Sequence, residues 1–461
     1  MTARNHTILD TEHVGKLLLT LSIPAFLSSL VTQTYGLVST MFIGHYVGAL
    51  GIAGISLVFP IQLTSMGIGQ MFGVGGASLI SRSIGAGKRE TGGRALNNAI
   101  FSVFIVSLVI MIVGLCNTDF LLRLIGASAD IMPYARDYLS IIFIGIFFQN
   151  LAMTMSFLVI AEGHARVSMT GMMIGAISNI IFDAIFIVGL RMGVQGAAIG
   201  TVIAQFLSCA FYVIHYLRGK SLFRLSFKSM RPKWDILRDI SAVGISQCLM
   251  LVFSSLATLM TNRELNIYGG DIAVSAFGIV NRMIFLTLLP GNAMGQGLQP
   301  IIGFNYGVKR YDRVIRVIRI ALLSVTVISI TVFLVLFLMP KFFVGIFTTD
   351  NMLIQMGAYQ VKRIFLATSL TGLCMVSINI FQSLGKPKQA LLLTLRPILF
   401  LLPFILILPI FFNLSGVLVS YPIAEILTSI LAVILLIPQI KELRKDQLKT
   451  GMEPDTNAVE S

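Results

Sequence analysis

The chain has 461 residues, of which 56% are hydrophobic and only 12% charged, and its mean hydropathy is +0.88. A soluble domain carries about 25% charge, so a water-soluble surface is excluded. The 34 Lys and Arg against 20 Asp and Glu sit in short segments between apolar runs rather than on one basic face, which excludes nucleic-acid binding and fits cations that flank membrane spans.

Residues 1–16 carry Arg4, Asp10, Glu12 and Lys16 ahead of an apolar run from Leu17 to Gly44. That run is too long for a signal-peptide core and predicts a retained membrane helix. Apolar stretches of about 20 residues, each enough to cross a hydrocarbon core of about 30 Å, then recur at about 52–76, 95–117, 137–158, 167–190, 194–217, 238–262, 272–300, 316–339, 356–382, 388–412 and 414–437. The longest polar interval, Arg218 to Arg238, holds seven Lys and Arg and splits the spans six and six. The expected fold is an all-α integral membrane protein of twelve transmembrane helices in two parallel six-helix lobes. Residues 1–230 form the first lobe and 231–461 the second.

The tails and even-numbered loops hold 25 of the 34 Lys and Arg. The positive-inside rule then places both termini in the cytoplasm of a multi-pass protein of the cell membrane. Gly73, Gly75 and Gly85 recur 222 residues later as Gly295, Gly297 and Gly307, as do Phe120 as Phe342 and Gly163 as Gly385. Gly196 recurs as Gly416 at an offset of 220. Six spans is an even number, so both copies enter the membrane from the same side, as in a parallel repeat. Such repeats suit alternating access about a central site.

Ionisable groups inside the membrane are costly and usually functional. Asp183 follows Asn179 by four residues, so both share a helix face. It lies about 10 Å below the outer surface at 1.5 Å per residue. Thr201 reaches a similar depth on the next span, with Gln205 one turn further in, and Ser39 and Thr40 approach that level on the first. Gathered oxygens suit a hard cation, and the same carboxyl can take up a proton. The plainer alternative is a protonated Asp183 donating to a backbone carbonyl. In the second half Arg282 and Glu425 are both near mid-membrane, either as a static ion pair or as part of a transport site. Gln33, Tyr35, Gln62, Gln149, Asn150, Asn281, Arg282, Met283 and Glu425 are the expected cavity residues. Pro24, inside the first span, removes a helix hydrogen bond and is the expected hinge. The 22 Met and 32 Phe favour weakly specific binding of apolar cargo. Cys116, Cys209, Cys248 and Cys374 read as small buried hydrophobes. No nucleotide-binding lysine motif and no hydrolase cluster is present, so an enzyme is not expected and an ion gradient is the natural energy source.

Pro24, the segment Gly73-Val-Gly-Gly-Ala-Ser-Leu-Ile-Ser-Arg-Ser-Ile-Gly-Ala-Gly-Lys-Arg89, and Asn179 to Asp183 followed by Gly196-Ala-Ala-Ile-Gly-Thr201 resemble the multidrug and toxic compound extrusion (MATE) family. Gly295 to Gly307 and Gln382-Ser-Leu-Gly-Lys-Pro387 are the second-half counterparts. The similarity runs from about residue 17 to 437 and is nearest the MepA-like and DinF-like branch. The resemblance implies a V-shaped, cation-coupled antiporter that exports amphiphilic or cationic small molecules, works as a monomer in the lipid bilayer, and uses H+ or Na+ as coupling ion with no bound cofactor. Carried over by residue, the coupling site is Asp183, Asn179 and Thr201, with Na+ held at Asp183 and Asn179. Many relatives have an acid in the first span where this chain has Ser39. Others have one in span 7, where this chain has none between Asp239 and Glu264. A lipid-linked precursor flippase of the same architecture is the alternative, although only Arg282 offers a cavity cation for a phosphate. An integral-membrane receptor or enzyme ranks below both.

Overall fold

The computed structural model describes residues 13–47, 49–219, 221–225 and 232–449. The termini, Lys228 in the central basic loop and the side chain of Thr40 lie outside them. Ten helical stretches among the described residues are long and apolar enough to cross a membrane. In hydrocarbon every backbone N–H and C=O must be satisfied within the segment, which is why these runs are helical. Two of the ten hold two passes each. Trp234–Gly307 has 74 residues, about 110 Å if straight at 1.5 Å per residue, and it breaks at Gly270, φ 65°. The last stretch breaks at Asn413, φ 48°. Among the described residues this gives twelve stretches long enough to cross.

In chain order, α1 is Val14–Tyr46, α2 Ala49–Gly85, α3 Arg89–Cys116, α4 the short Thr118–Leu124, α5 Met132–Ala161, α6 Ala165–Asp183 and α7 Gly193–Leu217. Then come α8 Trp234–Gly307, α9 Tyr311–Leu338, α10 the short Pro340–Gly345, α11 Asn351–Ile364, α12 Thr368–Ser383, α13 Pro387–Thr394 and α14 Leu402–Lys449. Two π-helical turns, Ala184–Gly189 and Pro397–Leu401, directly follow the charged residues Asp183 and Arg396. Such wide turns are frequent at functional sites.

The chain divides into two compact units. Among the described residues the first unit runs from Ile23 to Cys248, and the second takes Leu249 onward together with residues 13–22. Helix α1 changes unit between Ser22 and Ile23, one residue before Pro24. In the first unit α5 is the central helix and packs on α2, α3 and α7. Its Leu139, Ile142, Phe143 and Ile146 form the core with Val58, Leu122, Ile187 and Val194. In the second unit Phe277, Val280, Met283, Val361, Phe365 and Leu418 form the corresponding core.

The two units repeat each other in detail. Gly163 (φ 87°) and Gly385 (φ 69°) adopt the left-handed conformation that closes a helix, which costs an L side chain strain. The amide after each bonds back five residues, His164 N–H to Val159 O and Lys386 N–H to Phe381 O. Of the three non-glycine residues with positive φ among the described residues, Arg191 and Asn413 are 222 apart, and Lys309 is 222 beyond Gly87, itself at φ 70°. A Cβ on Gly73 would strike Phe157, and one on Gly295 would strike Asn379, again 222 apart in both members.

Candidate functional site

Helix α6 carries Asn179 and Asp183 one turn apart, with relative exposures of 2% and 0%. Helix α7 packs alongside and presents Gly200 and Thr201. Asn179 Nδ2 donates to Thr201 Oγ1 at 3.1 Å, and Thr201 Oγ1 donates to the Ala197 carbonyl at 2.9 Å. The amide is thereby oriented with its oxygen left over. Asn179 Oδ1 and both carboxylate oxygens of Asp183 are buried without a hydrogen-bond partner. The Ser39 hydroxyl of α1 lies beside the Asp183 carboxylate without completing a hydrogen bond of ordinary length. Three orphaned oxygens and a nearby hydroxyl, with a single negative charge among them, form an oxygen-lined site that fits a proton or a small hard cation. Buried polar groups are otherwise almost always paired.

Tyr35, one turn before Ser39, and Tyr138 of α5 lie within electrostatic reach of Asp183, and the Tyr138 hydroxyl meets the Gln62 amide. Gln205, one turn beyond Thr201, also has a buried, unpaired Oε1. Tyr138 and Gly200 are absent from the expected set. The signal for Tyr138 was depth: it lies six residues into α5, about 9 Å at 1.5 Å per residue, close to the depth of Asp183. For Gly200 the signal was the absence of a Cβ beside Thr201.

The other expected residues scatter. Asn150 is fully buried and ties α5 to its neighbours, donating to Ser65 Oγ and Ser107 Oγ at 3.1 Å each. Gln33 and Gln149 are half-buried and make no contact with Asp183 among the described interactions. In the second unit Asn281 is half-buried, Arg282 is exposed, and Met283 is a core residue. The sequence leaves open whether Arg282 and Glu425 meet, and no ion pair between them is found among the described residues. Glu425 pairs with Arg396, Nη1 to Oε2 at 2.6 Å, and Arg282 is exposed. Ser429 and Cys374 lie next to this pair, their side chains 3.2 Å apart.

A second acid is buried where α5 ends. Glu162 is 1% exposed and accepts from Ser221 Oγ and from the Leu222 amide, which docks the segment after α7. Burial pushes its carboxyl up to about 7, against the partial lowering by those hydrogen bonds. Phe223 caps the segment, and its ring fills the space beside Gly92.

A helical protein with paired six-span units, an internal repeat and a buried intramembrane carboxylate has the architecture of a membrane transporter. The family profile MatE matches residues 24–185 and 242–396, and the chain belongs to that family. It is 27% identical over 426 residues to the multidrug export protein MepA of Staphylococcus aureus (strain MRSA252), covering 92% of this chain and 94% of that protein. A ligand-bound structure of the MATE multidrug transporter DinF-BH superimposes with a TM-score of 0.87 at 37% identity, over 93% of this chain and 96% of that one. A transporter of the MOP superfamily from Pyrococcus furiosus shares the fold, with a TM-score of 0.90 at 23% identity over 95% of this chain and 98% of that one.

Proposed function

We propose that this chain is a cation-coupled exporter of amphiphilic or cationic small molecules, with Asp183 as the coupling residue. The observation that carries the reading is the set of buried, unpaired oxygens on Asp183 and Asn179. A carboxylate at that depth is expensive unless a proton or cation compensates it. An ion that binds one conformation better than another biases their equilibrium by its differential affinity, and cargo acting on the same equilibrium is thereby coupled to it. Asn179 and Thr201 supply neutral oxygens and Ser39 a further hydroxyl. Tyr35, Gln62, Tyr138 and Gln205 extend the polar lining of the first unit. Pro24 supplies the hinge at the point where α1 changes unit. The multidrug cargo follows from the names of MepA and DinF-BH and from the 22 Met and 32 Phe of this chain.

The experiment is efflux from proteoliposomes against an imposed pH or sodium gradient. Asp183→Asn keeps size and hydrogen bonding and removes the titratable charge. Gradient-driven export is expected to collapse, while folding and cargo binding persist. Asp183→Glu is expected to retain part of the rate. The response of the wild type to each gradient distinguishes H+ from Na+. Export by well-folded Asp183→Asn at the wild-type rate, with unchanged gradient dependence, would overturn the assignment.

A further inference from the structure

The short helices α4 and α10 are counterparts in the repeat. Helix α3 ends at Cys116 and α4 begins at Thr118, and α9 ends at Leu338 and α10 begins at Pro340, each 222 residues on. In the first unit this junction carries an exposed ion pair: Arg136 Nε lies 3.1 Å from Asp119 Oδ1. At the equivalent positions the second unit has Lys341 in place of Asp119 and Ala358 in place of Arg136. Tyr359 replaces Asp137, and Lys362 replaces Ser140. The acids have gone, two lysines have come in, and the arginine is an alanine.

An open groove of about 740 Å³ lies here in the second unit, lined by Met339, Lys341, Phe342, Gln355, Tyr359 and Lys362 among others. Both lysines are exposed, and among the described residues neither has an acidic partner. Arg363 stands beside them, its guanidinium stacked 3.5 Å over the Tyr359 ring. This is the cation-poor end of the chain: only seven of its 34 Lys and Arg lie on this side, and three of the seven are Lys341, Lys362 and Arg363. General attraction to a membrane surface places cations at the other end, so their concentration here calls for a local ligand. The groove opens where a span ends, at headgroup level. Leu338, Met339, Phe342 and Ile346 are all exposed around it.

We propose that this groove binds an anionic phospholipid, with its phosphate between Lys341 and Lys362 and an acyl chain along the exposed apolar residues at the end of α9. Lysine ammonium groups bind phosphate as point charges, and their stems extend over apolar surface. The apolar rim distinguishes a lipid from a free phosphate, which would gain nothing from it. The site is independent of the ion-coupling reading of Asp183.

The test is native mass spectrometry of the purified full-length protein with phosphatidylglycerol and phosphatidylcholine of identical acyl chains. The wild type is expected to retain phosphatidylglycerol preferentially. Lys341→Gln and Lys362→Gln are each expected to reduce that preference about fivefold, the factor for one lysine near an anionic surface. Lys341→Asp with Ala358→Arg rebuilds the ion pair of the first unit and is expected to abolish it. Inorganic phosphate is expected to leave the lipid adducts in place. Equal retention of the two lipids, an unchanged preference in whichever glutamine variant folds, or displacement by inorganic phosphate would each overturn the proposal.

Discussion

A Cβ placed on Gly200 would lie 2.7 Å from Oδ1 of Asp183 and 3.3 Å from its backbone nitrogen. The carboxylate therefore rests against bare backbone of α7, and that close approach sets its distance from Thr201. Gly200→Ala must push the carboxylate aside or part the two helices, because backbone cannot yield. Overpacking of this kind costs about 1–3 kcal/mol. The expected outcome is a loss of gradient-driven transport of about tenfold or more, in keeping with the cost of misplacing a coordinating group, with a lower Tm. Gly175→Ala is the control on the same pair of helices, since its Cβ would meet the Ser208 side chain at 3.3 Å and the Ala204 carbonyl only at 3.7 Å, an ordinary contact. Efflux rate and Tm measured on both variants separate damage to the site from damage to packing. Equal transport losses in the two would mean that Gly200 serves packing alone.

The orientation expected from the Lys and Arg count is testable at two exposed loop positions. Lys88 follows α2 and Asp130 precedes α5, on opposite sides of the membrane. In a cysteine-free background, Asp130→Cys is expected to react with an impermeant maleimide in intact cells, and Lys88→Cys only after permeabilisation. The reverse pattern would invert the topology.

The repeat and the clustering of Asp183, Asn179 and Thr201 were legible because they rest on periodicity and depth, both countable along a chain. Helix rotation is not countable. Arg282 and Arg396 are both intramembrane in the sequence, and nothing local indicates that the first is exposed while the second meets Glu425. Asn150 read as a cavity amide, yet its donors are consumed by Ser65 and Ser107, more than 40 residues away in sequence. The cation groove was hidden for another reason. Asp119 and Lys341 look unremarkable singly, and only the 222-residue offset between the two units sets an ion pair in one against paired lysines in the other.

Glu162 predicts a pH dependence at the base of the first unit. An ordinary glutamate titrates at 4.5, and burial raises this one to about 7 in the docked state. A raised acid favours the docked state under acidic conditions. The contribution is complete below 4.5 and is lost as pH rises through about 7. The amide of Leu222, which donates to Glu162 Oε2, reports the docking directly. Its hydrogen-exchange protection, corrected for the intrinsic rate, is expected to fall from about pH 4.5 to about pH 7 and to level off above that. Glu162→Gln, permanently neutral, is expected to flatten the profile. A wild-type profile as flat as that of the variant would exclude titration of Glu162 as the cause.

The pairing of Glu425 with Arg396 makes a sharper prediction than either residue alone. Glu425 is 5% exposed, Oε2 faces the guanidinium at 2.6 Å, and Oε1 is buried without a partner. Removing one member leaves an uncompensated charge in a low-dielectric interior, at a cost of about 3–5 kcal/mol. Removing both leaves two neutral groups of similar shape, and replacement of a buried pair is often close to neutral. Glu425→Gln and Arg396→Gln are therefore each expected to lower Tm substantially, and the double variant is expected to recover most of the loss. Arg282→Gln is expected to change Tm little, because Arg282 is exposed. The double-mutant cycle gives the coupling as the departure from additivity. If the pair is purely structural, transport should recover in the double variant in step with Tm. If its charge also takes part in transport, Tm should recover and export should not. Additive losses of Tm in the cycle would dismiss a direct interaction, and the 2.6 Å contact would then contribute nothing to stability.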